Sequence, residues 1–180
     1  MKYRQAILTA LLLCVLLPAW AGIPGGDFLL HTPDGRPVSL TSLRGRVVLL
    51  YFGFTACPVM CPTELLTFQR LLASMPADKR HRVQPVFVSV DPRRDTPEAL
   101  ESYVANFGNG ILALTGNEDE LRRIAQRYGA YFRYVDTGSD YTVDHTVNTY
   151  VIDPNGRLVR ILPYGTPLHE LQDTVLRLLP

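Results

Sequence analysis

The longest apolar run after the N-terminus is Arg46 to Phe54, almost unbroken in Val, Leu and aromatic residues. Such a run predicts a strand covered on both faces. A second of the same kind spans Val83 to Val90 and ends in Asp91-Pro92. Between them Leu65, Leu66, Phe68, Leu71 and Leu72 recur at helical spacing, predicting a helix from Pro62 to about Met75. Proline fits early in a helix because its missing N–H has no partner there. Further on, Asp95-Thr96-Pro97-Glu98 predicts a capped helix running to Phe107. Ile111 to Leu114 reads as a short strand, and Asn117 to Tyr128 as a helix stopped by Gly129. Tyr131 to Val135 and Tyr141 to Val143 have strand character with weak boundaries.

Two turn signals frame this series. Asp34-Gly35 centres a hairpin within Asp27 to Leu40, and Pro154-Asn155-Gly156 joins Thr149–Asp153 to Leu158–Ile161. Leu168, Leu171, Val175 and Leu179 give a closing helix over Pro167 to Leu178. Strands alternating with helices, then a hairpin and a helix, predict an α/β fold. Its central mixed sheet lies between helices, and a hairpin stands at its N-terminal edge. Active loops in such sheets sit at the carboxyl ends of strands, which is where Cys57 and Asp91 fall.

The first residues follow a different pattern. Lys2 and Arg4 precede an apolar run from Ala6 to Leu17, and Pro18-Ala-Trp-Ala21 offers small residues for cleavage. The run falls short of the ~20 residues that cross a bilayer. Residues 1–21 are therefore expected to be a cleaved export signal rather than an anchor, leaving one domain over 22–180. Cys14 lies in mid-run behind Leu13, so it does not read as a lipidation site. The formal net charge is +1, and losing Lys2 and Arg4 turns it to about −1. With no basic run, nucleic acid is excluded as the main target.

Export leaves Cys57 and Cys61 as the cysteines of the mature chain. A disulfide between them would close a tiny loop and stabilise little. Their place after a strand and at a helix start favours thiolate, because free N–H groups and the positive dipole end converge there. Residues four apart on a helix face the same way, about 5–6 Å between Cβ atoms. One metal ion could then bridge both sulfurs, or the sulfurs could bond to each other. His145 precedes the last hairpin and can face the cysteine loop; Asp144 beside it is either a group that orients the ring or a solvated charge. His31, His81 and His169 read as surface residues. Asp91, Arg93, Arg94 and Asp95 read as turn and cap chemistry. Phe52, Phe54, Met60 and Tyr103 read as core or rim packing.

Several motifs in order resemble the Sco/SenC family. They are Gly26-Asp-Phe, Gly45-Arg-Val-Val-Leu-Leu-Tyr-Phe-Gly-Phe-Thr, Cys57-Pro-x-x-Cys61-Pro-Thr, Ser89-Val-Asp-Pro-x-Arg-Asp-Thr-Pro97, Leu114-Thr-Gly116, Val143-Asp-His-Thr146 and Pro163-Tyr-Gly-Thr166. The resemblance implies a thioredoxin-like fold and a part in building the dinuclear copper centre of cytochrome c oxidase subunit II. It implies Cys57, Cys61 and His145 as copper ligands, holding one Cu(I) or Cu(II) per chain. The implied role is a periplasmic metallochaperone, monomeric, working at the outer face of the inner membrane. A copper donor and a thioredoxin-like reductant are its further partners. The alternative is a thiol–disulfide oxidoreductase in which Cys57 and Cys61 are the redox pair and the subunit II cysteines its substrate. Two positions depart from the family: Val59 stands where an Asp is common, and Ala56 where a His or other polar residue is common. Thiol peroxidases of this fold carry Pro and Thr or Ser seven and three residues before the reactive cysteine. Here those positions are Leu50 and Phe54 for Cys57, and Phe54 and Pro58 for Cys61, so that activity is not expected.

Overall fold

A computed structural model describes residues 25–179; the expected export segment lies outside the described residues. The described residues begin with a hairpin of β1 (Leu29–His31) and β2 (Pro37–Ser39), paired antiparallel, followed by a 3-10 turn over Leu40–Leu43. The central sheet comprises β3 (Val47–Gly53), β4 (Val83–Ser89), β5 (Leu112–Leu114), β8 (Thr149–Ile152) and β9 (Leu158–Leu162), ordered β5-β4-β3-β8-β9. Strands β3, β4 and β5 run parallel, whereas β8 and β9 are antiparallel to their neighbours. The sheet is mixed, as the sequence predicts. Flanking helices are α1 (Met60–Ser74), α2 (Ala77–Arg80), α3 (Pro97–Ala105), α4 (Glu118–Arg127) and α5 (Leu168–Leu178). α1 packs on both β4 and α5, and α3 packs on β5.

All seven residues of β3 are buried, as its unbroken apolar run requires. Tyr51, Phe52, Leu65, Phe68 and Phe87 form the centre of the core. α4 begins at a full capping box: Asn117 accepts from the Glu120 N–H, and the Glu120 carboxylate accepts from the Asn117 N–H. It ends at Gly129, whose φ of +70° is costly for residues with a Cβ.

Strand register decides what meets at one end of the sheet. Gly53, the last residue of β3, pairs with Ser89, the last of β4, so both following loops emerge side by side. β8 runs the other way, and its first residue, Thr149, pairs with Tyr51. The segment entering β8 therefore arrives beside the cysteine loop.

Three boundaries differ from the sequence reading. α1 starts at Met60 rather than Pro62, so Cys61 lies within its first turn and Cys57 in the turn before it. The two cysteines do not share a helix face; the turn brings them together. β6 (Phe132–Asp136) and β7 (Tyr141–His145) pair with each other as a two-stranded ribbon apart from the central sheet. His145 closes β7 opposite Phe132 and is a strand residue, not a loop residue. Pairing with a partner strand sets that boundary, and local composition does not display it.

Candidate metal centre

After Gly53 the chain turns, and the Cys57 N–H donates to the Phe54 carbonyl at 3.2 Å. At the start of α1 the first N–H groups lack helical partners. One of them, on Cys61, donates to Cys57 Sγ at 3.4 Å. Cys61 Sγ packs against the end of β3 where only glycine fits: a Cβ at Gly53 would sit 2.7 Å from that sulfur and 2.6 Å from the Phe87 ring. Both thiols are free and buried.

His145 approaches from the ribbon. Its Nε2 lies 3.8 Å from Cys61 Sγ, and its Nδ1 lies 3.0 Å from the Thr146 carbonyl oxygen. A carbonyl only accepts, so Nδ1–H donates to it, and Nε2 is the ring nitrogen that faces the sulfurs. The rings of Tyr51 and Phe54 stand edge to face against the imidazole, with centroids 6.3 and 5.6 Å away, and fix its plane. One ligand atom from each of Cys57, Cys61 and His145 lies within 4.8 Å of the other two. Metal–sulfur and metal–nitrogen bonds of about 2.0–2.3 Å need donor separations of roughly 3.5–4 Å, so a small closure would complete a three-donor cage. Two thiolates and an imidazole form a soft set suited to ions such as Cu(I) or Zn(II).

The two sulfurs share one proton. Cys57 is pulled down to about 4, chiefly by the hydrogen bond from the Cys61 thiol, with help from His145 and the N–H groups of Cys61 and Val59, against the cost of burial. Cys61 is pushed far above the usual thiol range by that same sharing and by burial. The metal-free pair thus gives up its first proton readily and holds its second, with the negative charge favoured at Cys57. Closing a metal site releases the Cys61 proton.

The structure brings together the three residues singled out as ligands and leaves the other candidates elsewhere. Asp144 does not orient the imidazole: it pairs with Arg133 at 2.8 Å, and the Thr146 carbonyl takes the place expected of it. Val59 and Met60 are exposed at the lip of the site. Asp91 and Asp95 are more than turn residues. Asp95 does not cap α3; Thr96 does so by accepting from the Ala99 N–H. Asp95 is buried and accepts from the Thr55 N–H, the Thr55 hydroxyl and the Ser89 hydroxyl at 2.6–3.0 Å. Asp91, fully buried, accepts from Arg94 and Tyr141. Glu64 escaped notice altogether. It lies on the inner face of α1, accepts from the Thr149 hydroxyl, and burial raises its carboxyl above the ordinary range. Its signal in the sequence is its register, three residues after Cys61 and one before the core residue Leu65.

A family model described as SCO1/SenC matches residues 21–180. The chain belongs to the SCO1/SenC family. Protein SCO2, mitochondrial, of Saccharomyces cerevisiae is 39% identical over 142 residues, covering 77% of this chain and 47% of that protein. The chain thus matches about half the length of this yeast relative. The structure of Bradyrhizobium japonicum ScoI with copper bound superposes with a TM-score of 0.79 at 34% identity, covering 87% of this chain and 99% of that one. A structure described as a disulfide switch in BsSco, a member of the Sco family of cytochrome c oxidase assembly proteins, gives 0.71 at 27% identity over 87% and 94%. This SCO1/SenC chain has the thioredoxin-like α/β fold expected from its motifs. Among its described residues no helix is long and apolar enough to cross a membrane.

Proposed function

We propose that the chain is a copper metallochaperone that holds one copper ion between Cys57, Cys61 and His145. It would pass that ion to, or help assemble, the dinuclear copper centre of cytochrome c oxidase subunit II. The observation that carries this reading is the direction of the imidazole: Nε2 faces the sulfur pair while Nδ1 is tied to the Thr146 carbonyl. A dithiol exchange site has no need of that nitrogen. Copper-bound relatives of the same fold at 34% identity support the choice of metal. In this reading Cu(I) replaces the Cys61 proton, and oxidation of the pair to a disulfide removes both sulfurs from the site. Residues 1–21 act as the export signal, residues 22–180 form the working domain, and the protein acts in the periplasm or at the outer face of the inner membrane.

A second reading is favoured by the two adjacent free thiols and by the relative described for its disulfide switch. The Cys57 thiolate would attack the disulfide of a target, and Cys61 would resolve the mixed disulfide. The target then leaves as a dithiol, the chain as a disulfide, and a thioredoxin-like dithiol restores it.

Anaerobic copper titration of the reduced protein separates the two. The metallochaperone reading expects one copper per chain and weakening on the order of 100-fold in His145→Ala. A wild type that takes up no copper, or a His145→Ala that binds equally well, overturns it.

A further inference from the structure

The six residues after β4 hold both sides of the centre. Toward the cysteines, Asp95 fastens Thr55, two residues before Cys57, through its N–H and its hydroxyl. Toward the histidine, Arg94 and Asp91 fasten the ribbon. Arg94 Nε donates to Asp91 Oδ2 at 2.7 Å, and Arg94 Nη1 donates to the Tyr141 carbonyl at 2.8 Å. The Tyr141 hydroxyl donates to Asp91 Oδ1 at 2.8 Å, and the guanidinium lies 3.9 Å from the centre of the Tyr141 ring. On its other side Arg94 lies 6.0 Å from the ring of Phe54, the same ring that stands edge-on to the His145 imidazole.

The ribbon needs such a fastening. β6 and β7 pair only with each other, so no ladder of main-chain hydrogen bonds ties them to the central sheet. Side chains do that work: Tyr134 donates to the Val90 carbonyl, and Arg122 of α4 donates to the Phe132 carbonyl. Arg94 reaches two elements of the centre at once, the strand that ends in His145 and the aromatic wall beside the imidazole.

We propose that Arg94 is a positioning residue for the copper site, using Asp91, Tyr141 and Phe54 to hold the His145 imidazole within reach of an ion shared with the sulfurs. The proposal rests on the metallochaperone reading of Cys57, Cys61 and His145. Arginine suits the task because its flat fork donates to two acceptors while stacking on a ring, which lysine cannot do.

The test is a double-mutant cycle on the reduced full chain, with Cu(I) affinity measured anaerobically by competition with a chelator. Arg94→Lys keeps the charge beside buried Asp91 but loses the fork and the stack. In the wild-type background it should weaken copper about 10-fold, the usual cost of disturbing a group that orients a ligand. In the His145→Ala background it should weaken copper less than twofold, because the group it positions is gone. Loading with Cu(II) gives an independent readout: nitrogen hyperfine structure in the electron paramagnetic resonance spectrum should fade in Arg94→Lys, while sulfur-to-copper charge transfer persists. Equal losses in both backgrounds, or wild-type affinity in Arg94→Lys, overturn the proposal. If His145→Ala binds copper as well as wild type, the metallochaperone reading is what fails. Should Arg94→Lys not fold, Tyr141→Phe replaces it. It keeps the stack, loses one hydrogen bond, and should cost about threefold with the same dependence on His145.

Discussion

The sulfur donors and the nitrogen donor of this centre are held by different kinds of structure. Cys57 and Cys61 sit in one continuous stretch, between the end of a fully buried central strand and the first turn of the helix that follows it. Backbone geometry alone brings them together: a turn closed by the Cys57 N–H, then a helix-start N–H donated to the Cys57 sulfur. His145 comes 84 residues after Cys61, at the end of a ribbon outside the main sheet, placed by side chains rather than by a hydrogen-bonded ladder. One half is rigid because it belongs to the core. The other is docked onto that core by side chains.

The comparison is broken most severely from the cysteine side. Gly53→Ala places a methyl 2.6 Å from the Phe87 ring and 2.7 Å from Cys61 Sγ. Neither neighbour has room to retreat, since Phe87 and Cys61 are both fully buried. Overpacking of this kind costs about 1–3 kcal/mol, readable in a denaturant titration, and the displaced sulfur should weaken copper as well. A variant with unchanged stability and affinity would mean that the core side is not rigid.

Glu64 sharpens the same contrast at smaller amplitude, because it links the halves: it stands on α1 and accepts from Thr149, where the chain from His145 enters β8. Burial raises its carboxyl above 4.5, against the lowering effect of the Thr149 hydroxyl. The native state therefore holds a proton that the unfolded chain has already released, and stability falls as pH rises from about 4.5 through the native value. Glu64→Gln keeps an acceptor for Thr149 but cannot ionise. Its stability relative to wild type should increase between pH 4.5 and 7, measured by thermal unfolding at several pH values. A constant difference across that range would show that Glu64 does not titrate on folding.

The cysteine half was legible in the sequence and the histidine half only partly so. A buried strand, two cysteines and an early proline are local signals, and they placed the sulfurs at the carboxyl end of the sheet. His145 was found by its position before β8, and both strands of its ribbon showed strand character, but their pairing and the extension of the second to His145 did not, because pairing defines those limits. Asp91, Arg94 and Asp95 carried ordinary turn chemistry in their spacing. Their partners Thr55 and Tyr141 lie 40 and 47 residues away, which no local pattern reveals.

Asp144 should produce the smallest effect, and for that reason it tests whether position beside a ligand implies a role. It is the immediate neighbour of His145, yet successive strand residues point to opposite faces. While the imidazole turns inward, the carboxylate pairs with Arg133 at 2.8 Å, its side chain 39% exposed and that of Arg133 70%. Exposed pairs of this kind contribute about 0–1 kcal/mol, and the ring keeps its orientation from the Thr146 carbonyl in any case. Asp144→Asn should therefore shift the unfolding midpoint by about 4 °C at most, by the order of magnitude such pairs allow, and leave copper affinity within about twofold. A loss approaching that of His145→Ala would mean that the carboxylate turns toward the imidazole once copper is bound. The ribbon would then reorganise on loading rather than dock as a preformed piece.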